Sequence, residues 1–298
     1  MADRRIVVTG ATGLIGRTLV RKLVEERHCV VAIGRGDRPA GLPEQVEYQA
    51  IDLSRLSPGS LRVLGSFDGI VHLAQGSGWH DFPRAAGTIA SVTIAATAHL
   101  AEYAVAAGAK TFVFASSGGI YGPSARSIVE TDPIRPAAEL GFYLAAKASA
   151  EQLLSYFAQD LTVHILRPFF VYGQGQSRDF LIPRLLASVR SGKPVRVDGG
   201  RGPRLNPIHC DDAAAAIAVA LSLQKPLVAN IAGPDVATVR EIAEMAALQL
   251  ELAPTWEPTD RSPDDYVADI STMVAVLGVP RIRLFNGLAG LVDAGTAA

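Results

Sequence analysis

Cysteine is nearly missing from this chain: Cys29 and Cys210 are the only two in 298 residues. One falls in a predicted strand and the other beside a predicted helix start. Two such thiols cannot build a disulfide framework, nor do they have the spacing of a cysteine metal site, so both are expected as buried free thiols and no metal is expected. An excess of charge of one sign is missing too. Lys and Arg number 28 against 29 Asp and Glu, a formal net charge of -1, and no basic run stands out. That excludes a dedicated nucleic-acid binder. The longest apolar stretches are strand-length or Ala-rich, and Met1-Ala2-Asp3-Arg4-Arg5 lacks the apolar core of a signal peptide. Neither a repeat nor a low-complexity segment is found. The expectation is a soluble, cytoplasmic protein with a small-molecule partner and no membrane partner.

What is present is a regular alternation. Short apolar runs recur at Ile6–Thr9, Val30–Ile33, Val46–Ile51, Gly69–Leu73, Thr111–Ala115 and Val163–Leu166, and they read as parallel strands covered on both faces. Helical stretches lie between them at Leu14–Glu26, Ile89–Ala107 and Tyr143–Gln159. The order predicts an α/β fold with a doubly wound parallel (Rossmann) sheet. After Gly173 the pattern loosens, with helices expected at Phe180–Ser191, Asp212–Leu223 and Val239–Leu250 among Pro- and Gly-rich turns. Residues 1–172 are expected to form the dinucleotide-binding domain and 173–298 mainly a smaller substrate-binding subdomain, with some segments returning to the core.

The first strand runs straight into Thr9-Gly10-Ala11-Thr12-Gly13-Leu14-Ile15-Gly16, and a helix begins inside the glycine repeat. This places backbone N–H groups and a positive helix end where a pyrophosphate would sit. Gly10 permits the tight turn, Gly13 the approach of the phosphates, and Gly16 close helix–strand packing. An NAD site usually carries an acid about twenty residues on, for the ribose 2′-hydroxyl. Here the second strand ends in Gly34-Arg35, with Arg38 nearby. Without the acid a 2′-phosphate is not repelled, and a guanidinium can pair with it, so NADP is favoured with NAD the alternative.

Tyr143 and Lys147 stand four apart on a predicted helix and project from one face. A tyrosine with an ordinary pKa of about 10 is a poor base at neutral pH. A nearby ammonium and a nicotinamide ring would favour the phenolate. Ser117, in Ser116-Ser117-Gly118-Gly119-Ile120-Tyr121-Gly122, lies at the carboxyl end of a strand and could hold a substrate oxygen. His209-Cys210-Asp211-Asp212 suggests a metal cluster at first sight, but acids ahead of a helix fit capping and dipole roles better. Trp79-His80-Asp81 lies in the loop that would border the nicotinamide, where function and loop packing are both open.

Together these motifs resemble the extended short-chain dehydrogenases/reductases of the NAD-dependent epimerase/dehydratase family. The resemblance runs from Thr9–Gly16 through Asp52-Leu53, Val71-His72-Leu73-Ala74, Ser117, Tyr143 and Lys147. It continues in Leu166-Arg167-Pro168-Phe169-Phe170-Val171-Tyr172-Gly173, Asn206-Pro207-Ile208-His209-Cys210-Asp211-Asp212, Ala268-Asp269-Ile270-Ser271 and Leu277-Gly278. It implies cofactor contacts at Gly10, Thr12, Gly13, Leu14, Ile15, Gly16, Arg35, Asp52, Leu53, Leu73, Ala74, Gln75, Tyr143, Lys147 and Phe169, with Asp52-Leu53 meeting the adenine. Ser117, Tyr143 and Lys147 become the catalytic set, and Ser117, Phe170 and Arg204 the substrate contacts. The resemblance also implies a homodimer built from the helix before the Ser117 strand and the Tyr143 helix. Their Ala95, Ala96, Ala101, Ala104, Ala146, Ala148 and Ala150 would let helices approach closely, and would equally serve internal packing against the sheet.

Three departures bear on the substrate. Ala90-Ser91 stand where the family often has Asn, Phe170 replaces an Asn that meets the substrate pyrophosphate, and Gly118-Gly119 replace the Asp-Glu of the dehydratases. The function implied is hydride transfer at a sugar or nucleotide-sugar carbinol or keto carbon, by a reductase or an epimerase. The alternatives are a reductase of a non-sugar carbonyl and a dinucleotide-binding sensor without turnover.

Overall fold

The computed structural model describes residues 3–57, 59–76, 78 and 81–294, with backbone only for 293 and 294. Eleven strands and nine α-helices are described. The central sheet has seven parallel strands in the order β3-β2-β1-β4-β5-β6-β9. They are β1 Arg5–Thr9, β2 Cys29–Gly34, β3 Glu47–Ala50, β4 Gly69–His72, β5 Thr111–Ala115, β6 Thr162–Pro168 and β9 Leu227–Ile231. Helices α1 Leu14–Glu25, α2 Ala86–Ala90, α3 Ala96–Ala106 and α4 Phe142–Ser155 make the crossovers, with a π turn at Ser91–Ala95 between α2 and α3. Inner strands are apolar on both faces because helices cover both. Residues Ile6, Val7 and Val8 of β1, and Phe112, Val113 and Phe114 of β5, are fully buried. β3 differs from the expected doubly covered strand: Glu47, Tyr48 and Gln49 are partly exposed, since it is the edge of the sheet.

The chain divides into two compact units. Unit 1 comprises residues 1–120, 133–167 and 214–229. Its core joins Val7, Val31, Ile33, Ile70, Phe112 and Phe114 to the helix residues Leu100, Ala101, Ala104 and Leu154. Unit 2 comprises residues 121–132, 168–213 and 230–298. It contains α5 Leu181–Ser191, β7 Val195–Asp198, β8 Arg204–Leu205, β10 Ala237–Thr238, α7 Val239–Leu250, β11 Trp256–Thr259, α8 Ser271–Val276 and α9 Leu284–Ala294, while α6 Cys210–Ala220 starts in it and ends in unit 1. β7 pairs in parallel with β11, and β8 antiparallel with β10. Helix α7 begins with a capping box in which Thr238 Oγ1 accepts from the Glu241 N–H and the Glu241 carboxylate accepts from the Thr238 N–H.

The structure corrects one expectation, the buried Cys29, and favours one of the two readings of the alanines. Cys210 is buried, but Cys29 is exposed: it opens β2, one residue ahead of Val30, where burial begins. The alanines expected at a dimer face are mostly inside the chain already. Ala96, Ala101, Ala104, Ala146 and Ala150 are at most 3 % exposed, so small side chains serve helix-on-sheet packing within unit 1. One helix among the described residues, Ala86–Ala106, is long and apolar enough to cross a membrane. Its Val92, Ala96, Leu100, Ala101 and Ala104 belong to the unit 1 core, as in a core helix of a soluble protein.

Candidate active site

The strand order reverses between β1 and β4, so a crevice opens at their carboxyl ends, where doubly wound sheets bind their ligands. The glycine loop fills one side of it. Gly10 has φ +65, and a Cβ there would lie 2.7 Å from the Ala74 nitrogen, so only glycine fits the turn beside the loop that follows β4. A Cβ on Gly16 would lie 2.1 Å from the Gly10 carbonyl oxygen, which is how closely α1 is drawn onto the loop. Gly13 occupies the N-cap of α1 in extended conformation, with no side-chain cap and no acid in the first turn. The amides of Leu14, Ile15 and Gly16 therefore start the helix without a carboxylate or hydroxyl to neutralise them, and Thr12 and Gly13 beside them are exposed. That donor set fits the pyrophosphate of a dinucleotide.

Beside β1, β2 pairs in parallel with β3. Gly34 sits under Tyr48, whose hydroxyl would lie 2.8 Å from a Cβ at position 34 and donates to the Gly36 carbonyl at 3.1 Å. The usual acid has no room there unless Tyr48 moves. Of the two arginines, Arg38 is committed to backbone, donating to the Val46 carbonyl at 2.7 Å and the Pro43 carbonyl at 2.6 Å. Arg35 is exposed, and its guanidinium makes no hydrogen bond among the described residues. It acts on Asp52, whose carboxyl is lowered mainly by hydrogen bonds from Ser54 and further by Arg55 and Arg35. Asp52 caps the short helix that starts at Leu53, accepting from the Ser54 N–H at 2.9 Å.

Beyond β4 the chain is held to β1. The Leu73 N–H donates to the Thr9 carbonyl at 3.3 Å and the Ala74 N–H to Thr9 Oγ1 at 3.2 Å, while Thr9 Oγ1 is also 2.6 Å from His72 Nδ1. Gln75 follows, exposed, and its Oε1 accepts from the Tyr143 hydroxyl at 2.9 Å. Trp79 and His80 lie outside the described residues.

Helix α4 carries Tyr143 and Lys147. Tyr143 is half-buried, Lys147 is 1 % exposed, and the Lys147 Nζ lies 5.9 Å from the centre of the Tyr143 ring. The ammonium donates to the Ala115 carbonyl at 2.7 Å, at the carboxyl end of β5. Burial pushes the lysine down to about 7, partly opposed by Glu151. Burial likewise pushes the Tyr143 phenol up. Desolvation sets this direction, whereas the expected lowering joins the ammonium to a bound nicotinamide ring. Ser117 Oγ accepts from the Gly119 N–H at 3.2 Å. A Cβ on Gly119 would lie 3.0 Å from Leu144 Cδ2 and 3.4 Å from Ser117 Oγ, so the serine turn and the first turn of α4 flank the same glycine. An acid pair at Gly118-Gly119 would press on Leu144.

The sequence reading missed two charged residues of this site. Glu151, one turn beyond Lys147, and Arg167, near the end of β6, form a buried bidentate pair at 2.6 and 3.1 Å. The signal was available as the repeat Tyr143, Lys147, Glu151 at intervals of four.

The remaining assigned residues fall in unit 2. Phe169 is buried, its N–H donating to the Ile231 carbonyl at 2.9 Å and its ring stacked on Tyr121. Phe170 holds φ +45, a conformation that Asn and Gly adopt more readily than a bulky side chain, and its ring packs edge-on against Tyr266 at 6.1 Å. Arg204 and Arg201 share one carboxylate, Asp265, through Arg204 Nε at 2.8 Å and Arg201 Nη1 at 2.8 Å. Burial alone would raise that carboxyl, but the two guanidiniums hold it down to about 2. Two cations and one anion leave a net positive charge, with the Arg204 side chain 46 % exposed.

His209, Cys210 and Asp211 bring ligand atoms within 4.8 Å of one another. Asp211 and Asp212 lie inside the first turn of α6 rather than ahead of it, and Asp212 accepts from the Arg281 and Ile282 N–H groups at 3.0 and 2.8 Å. Asp212 ties the 281–282 backbone to the helix start.

A glycine-cradled, uncapped helix N-terminus at a sheet switch point, with a Tyr–Lys pair beside a serine turn, defines a dinucleotide-dependent oxidoreductase site of the short-chain dehydrogenase/reductase type. Residues 6–232 match the NAD dependent epimerase/dehydratase family, and the chain belongs to it. The dTDP-4-dehydro-6-deoxy-D-allose reductase of Streptomyces bikiniensis is 29% identical over 265 residues, covering 82% of this chain and 80% of that one. Among solved structures, MoeE5 in complex with UDP-glucuronic acid and NAD is 31% identical, with a TM-score of 0.83 and 99% of both chains covered. The UDP-glucose 4-epimerase of Thermus thermophilus in complex with NAD is 25% identical, with a TM-score of 0.84 and 99% of both chains covered.

Proposed function

We propose that this protein is an NADP(H)-linked keto-sugar reductase whose substrate is a sugar or nucleotide sugar. The observation that carries the reading is the buried Lys147 ammonium below the half-buried Tyr143 phenol at the carboxyl end of β5. When bound, the nicotinamide dinucleotide supplies or accepts the hydride. Gly10, Thr12, Gly13, Leu14, Ile15 and Gly16 seat its pyrophosphate, Asp52, Leu53, Leu73 and Ala74 line the adenosine side, and Arg35 pairs with the 2′-phosphate. Phe169 contributes a further cofactor contact. Ser117 Oγ holds the substrate oxygen, and Tyr143 moves a proton to it in reduction or from it in oxidation. Lys147 orients the ribose and favours the phenolate. Gln75 accepts the phenol's hydrogen bond until substrate takes its place.

Arg204 meets the diphosphate in place of the Asn that Phe170 replaces, and the Phe170–Tyr266 edge packs against the apolar side of the substrate. NADP preference points to net reduction. The epimerase is the second reading, favoured by the likeness to the Thermus enzyme over 99% of both chains. Dehydration is disfavoured by the lack of acids at Gly118-Gly119. The protein is taken to work as a cytoplasmic homodimer. The test is a panel of nucleotide keto-sugars and simple carbonyl compounds scored by NADPH oxidation with the purified chain. Turnover confined to simple carbonyls would move the reading to a non-sugar reductase, and none with either, despite tight dinucleotide binding, to a sensor.

A further inference from the structure

Three ionisable side chains of unit 1 are buried together beneath the catalytic tyrosine: Lys147 at 1 %, Arg167 at 6 % and Glu151 at 9 % exposure. Two of them are cations. A buried ammonium costs a great deal unless a counter-charge compensates it. Around Lys147 the other neighbours give little help. The Ala115 carbonyl accepts one hydrogen bond at 2.7 Å, and the Phe114 ring lies 4.8 Å from Nζ. His72 on β4 feels Lys147 but is held neutral, mainly by burial, with a pKa of about 3. Tyr143 is protonated. On α3, His99 and Glu102 are turned to solvent and sit 3.8 Å from each other. Glu151 is the one carboxylate acting on Lys147 among the described residues.

We propose that Glu151 is the positioning residue that keeps Lys147 a charged ammonium seated on the Ala115 carbonyl, and that Arg167, by gripping the same carboxylate, limits how much of its charge reaches the lysine. Glu151 lies one turn below Lys147 on α4, so its charge reaches the ammonium along the helix face. Arg167 grips both carboxylate oxygens and anchors them to the end of β6, the strand beside the one that carries Ala115. The pair thus ties the lysine's charge to the sheet that carries the serine turn. That this matters for catalysis rests on the reading of Tyr143 and Lys147 given under Proposed function. The charge state of Lys147 does not depend on it.

The opposing signs of the two partners make the test. In the full chain with ¹³C,¹⁵N-lysine, the Lys147 ε-methylene signal, assigned by its loss in Lys147→Arg, is followed against pH. The wild-type midpoint is expected near 7. Glu151→Gln removes the one carboxylate acting on the ammonium, so its midpoint falls by about one unit, a tenfold drop in the ratio of charged to neutral lysine. Arg167→Met leaves the carboxylate to Lys147 alone, and the midpoint rises by about the same amount. Shifts of opposite sign support the proposal, because a pair that merely staples α4 to β6 would disturb both variants in one direction or neither. If one variant does not fold, the sign in the other decides. Midpoints unchanged in folded variants, or moved the same way, overturn it even if NADPH turnover is normal. Opposite shifts in a protein that turns over no carbonyl compound support the pair while overturning the function.

Discussion

At the scale of single residues, the site depends on groups whose chemistry is set by what surrounds them. Tyr143 is raised by burial and donates to Gln75, so in this state it is a proton donor, the form a reductase needs at the start of its cycle. Tyr143→Phe is expected to lower kcat by about 10²–10⁴-fold, the usual worth of a positioned acid/base, with dinucleotide affinity largely kept. Steady-state kinetics alongside a fluorescence titration of NADPH check it, and substantial turnover would assign the proton to another group. Arg38 is committed to the Val46 and Pro43 carbonyls, so the proposed contact to a 2′-phosphate falls to Arg35. NADP(H) should bind more tightly than NAD(H), and Arg35→Ala should remove most of the difference; equal wild-type affinities by calorimetry would count against this assignment.

Among elements, α1 and β8 are the two whose positions set binding. The start of α1 is pressed so closely onto the loop that Gly16→Ala places a methyl inside the Gly10 carbonyl. Backbone cannot yield as a side-chain tip can, so the variant is expected to lose about 1–3 kcal/mol of stability or more and most of its dinucleotide affinity. Thermal melts with and without NADPH measure both, and an unchanged melting temperature would mean that the loop relaxes freely. On β8, Arg204 shares Asp265 with Arg201, so its removal leaves the carboxylate still paired. Arg204→Ala should therefore raise KM for a nucleotide-linked substrate by about tenfold to a hundredfold, the worth of a charge-assisted hydrogen bond, and change little for a neutral carbonyl compound. Wild-type behaviour towards every nucleotide sugar turned over would remove Arg204 from the phosphate site.

For the whole molecule, the family resemblance implies a dimer, and most of the alanines of the two helices concerned are used inside unit 1. What α4 shows to solvent is different: Gln152 is exposed and Tyr156, just past its end, is 83 % exposed. The homodimer is expected from membership of the family. Sedimentation velocity at micromolar concentration should give a mass near twice 31.4 kDa, and a monomer there would refute it.

How much of this was legible follows from the range of the forces involved. Periodicity and the Gly10-x-x-Gly13-x-x-Gly16 spacing are local, so the sequence alone was enough for six strands of the doubly wound sheet, the glycine-rich turn and the Tyr143–Lys147 face; the ends of those elements moved by a few residues, as when Tyr143–Gln159 became Phe142–Ser155, while the seventh strand, β9, was not read from it. The tertiary structure decided what depends on neighbours distant in the chain. Arg38 lost its freedom to carbonyls of the next strand's approach, and Tyr48 closed the space over Gly34. Burial drove the Tyr143 and Lys147 pKa values, since desolvation is a property of the packed site and not of the residue. The Glu151–Arg167 pair joins residues sixteen apart and exists only because α4 packs beside β6. Local pattern can show which side chains share a face, but only packing decides which of them are dry, and charge inside a protein is governed by that.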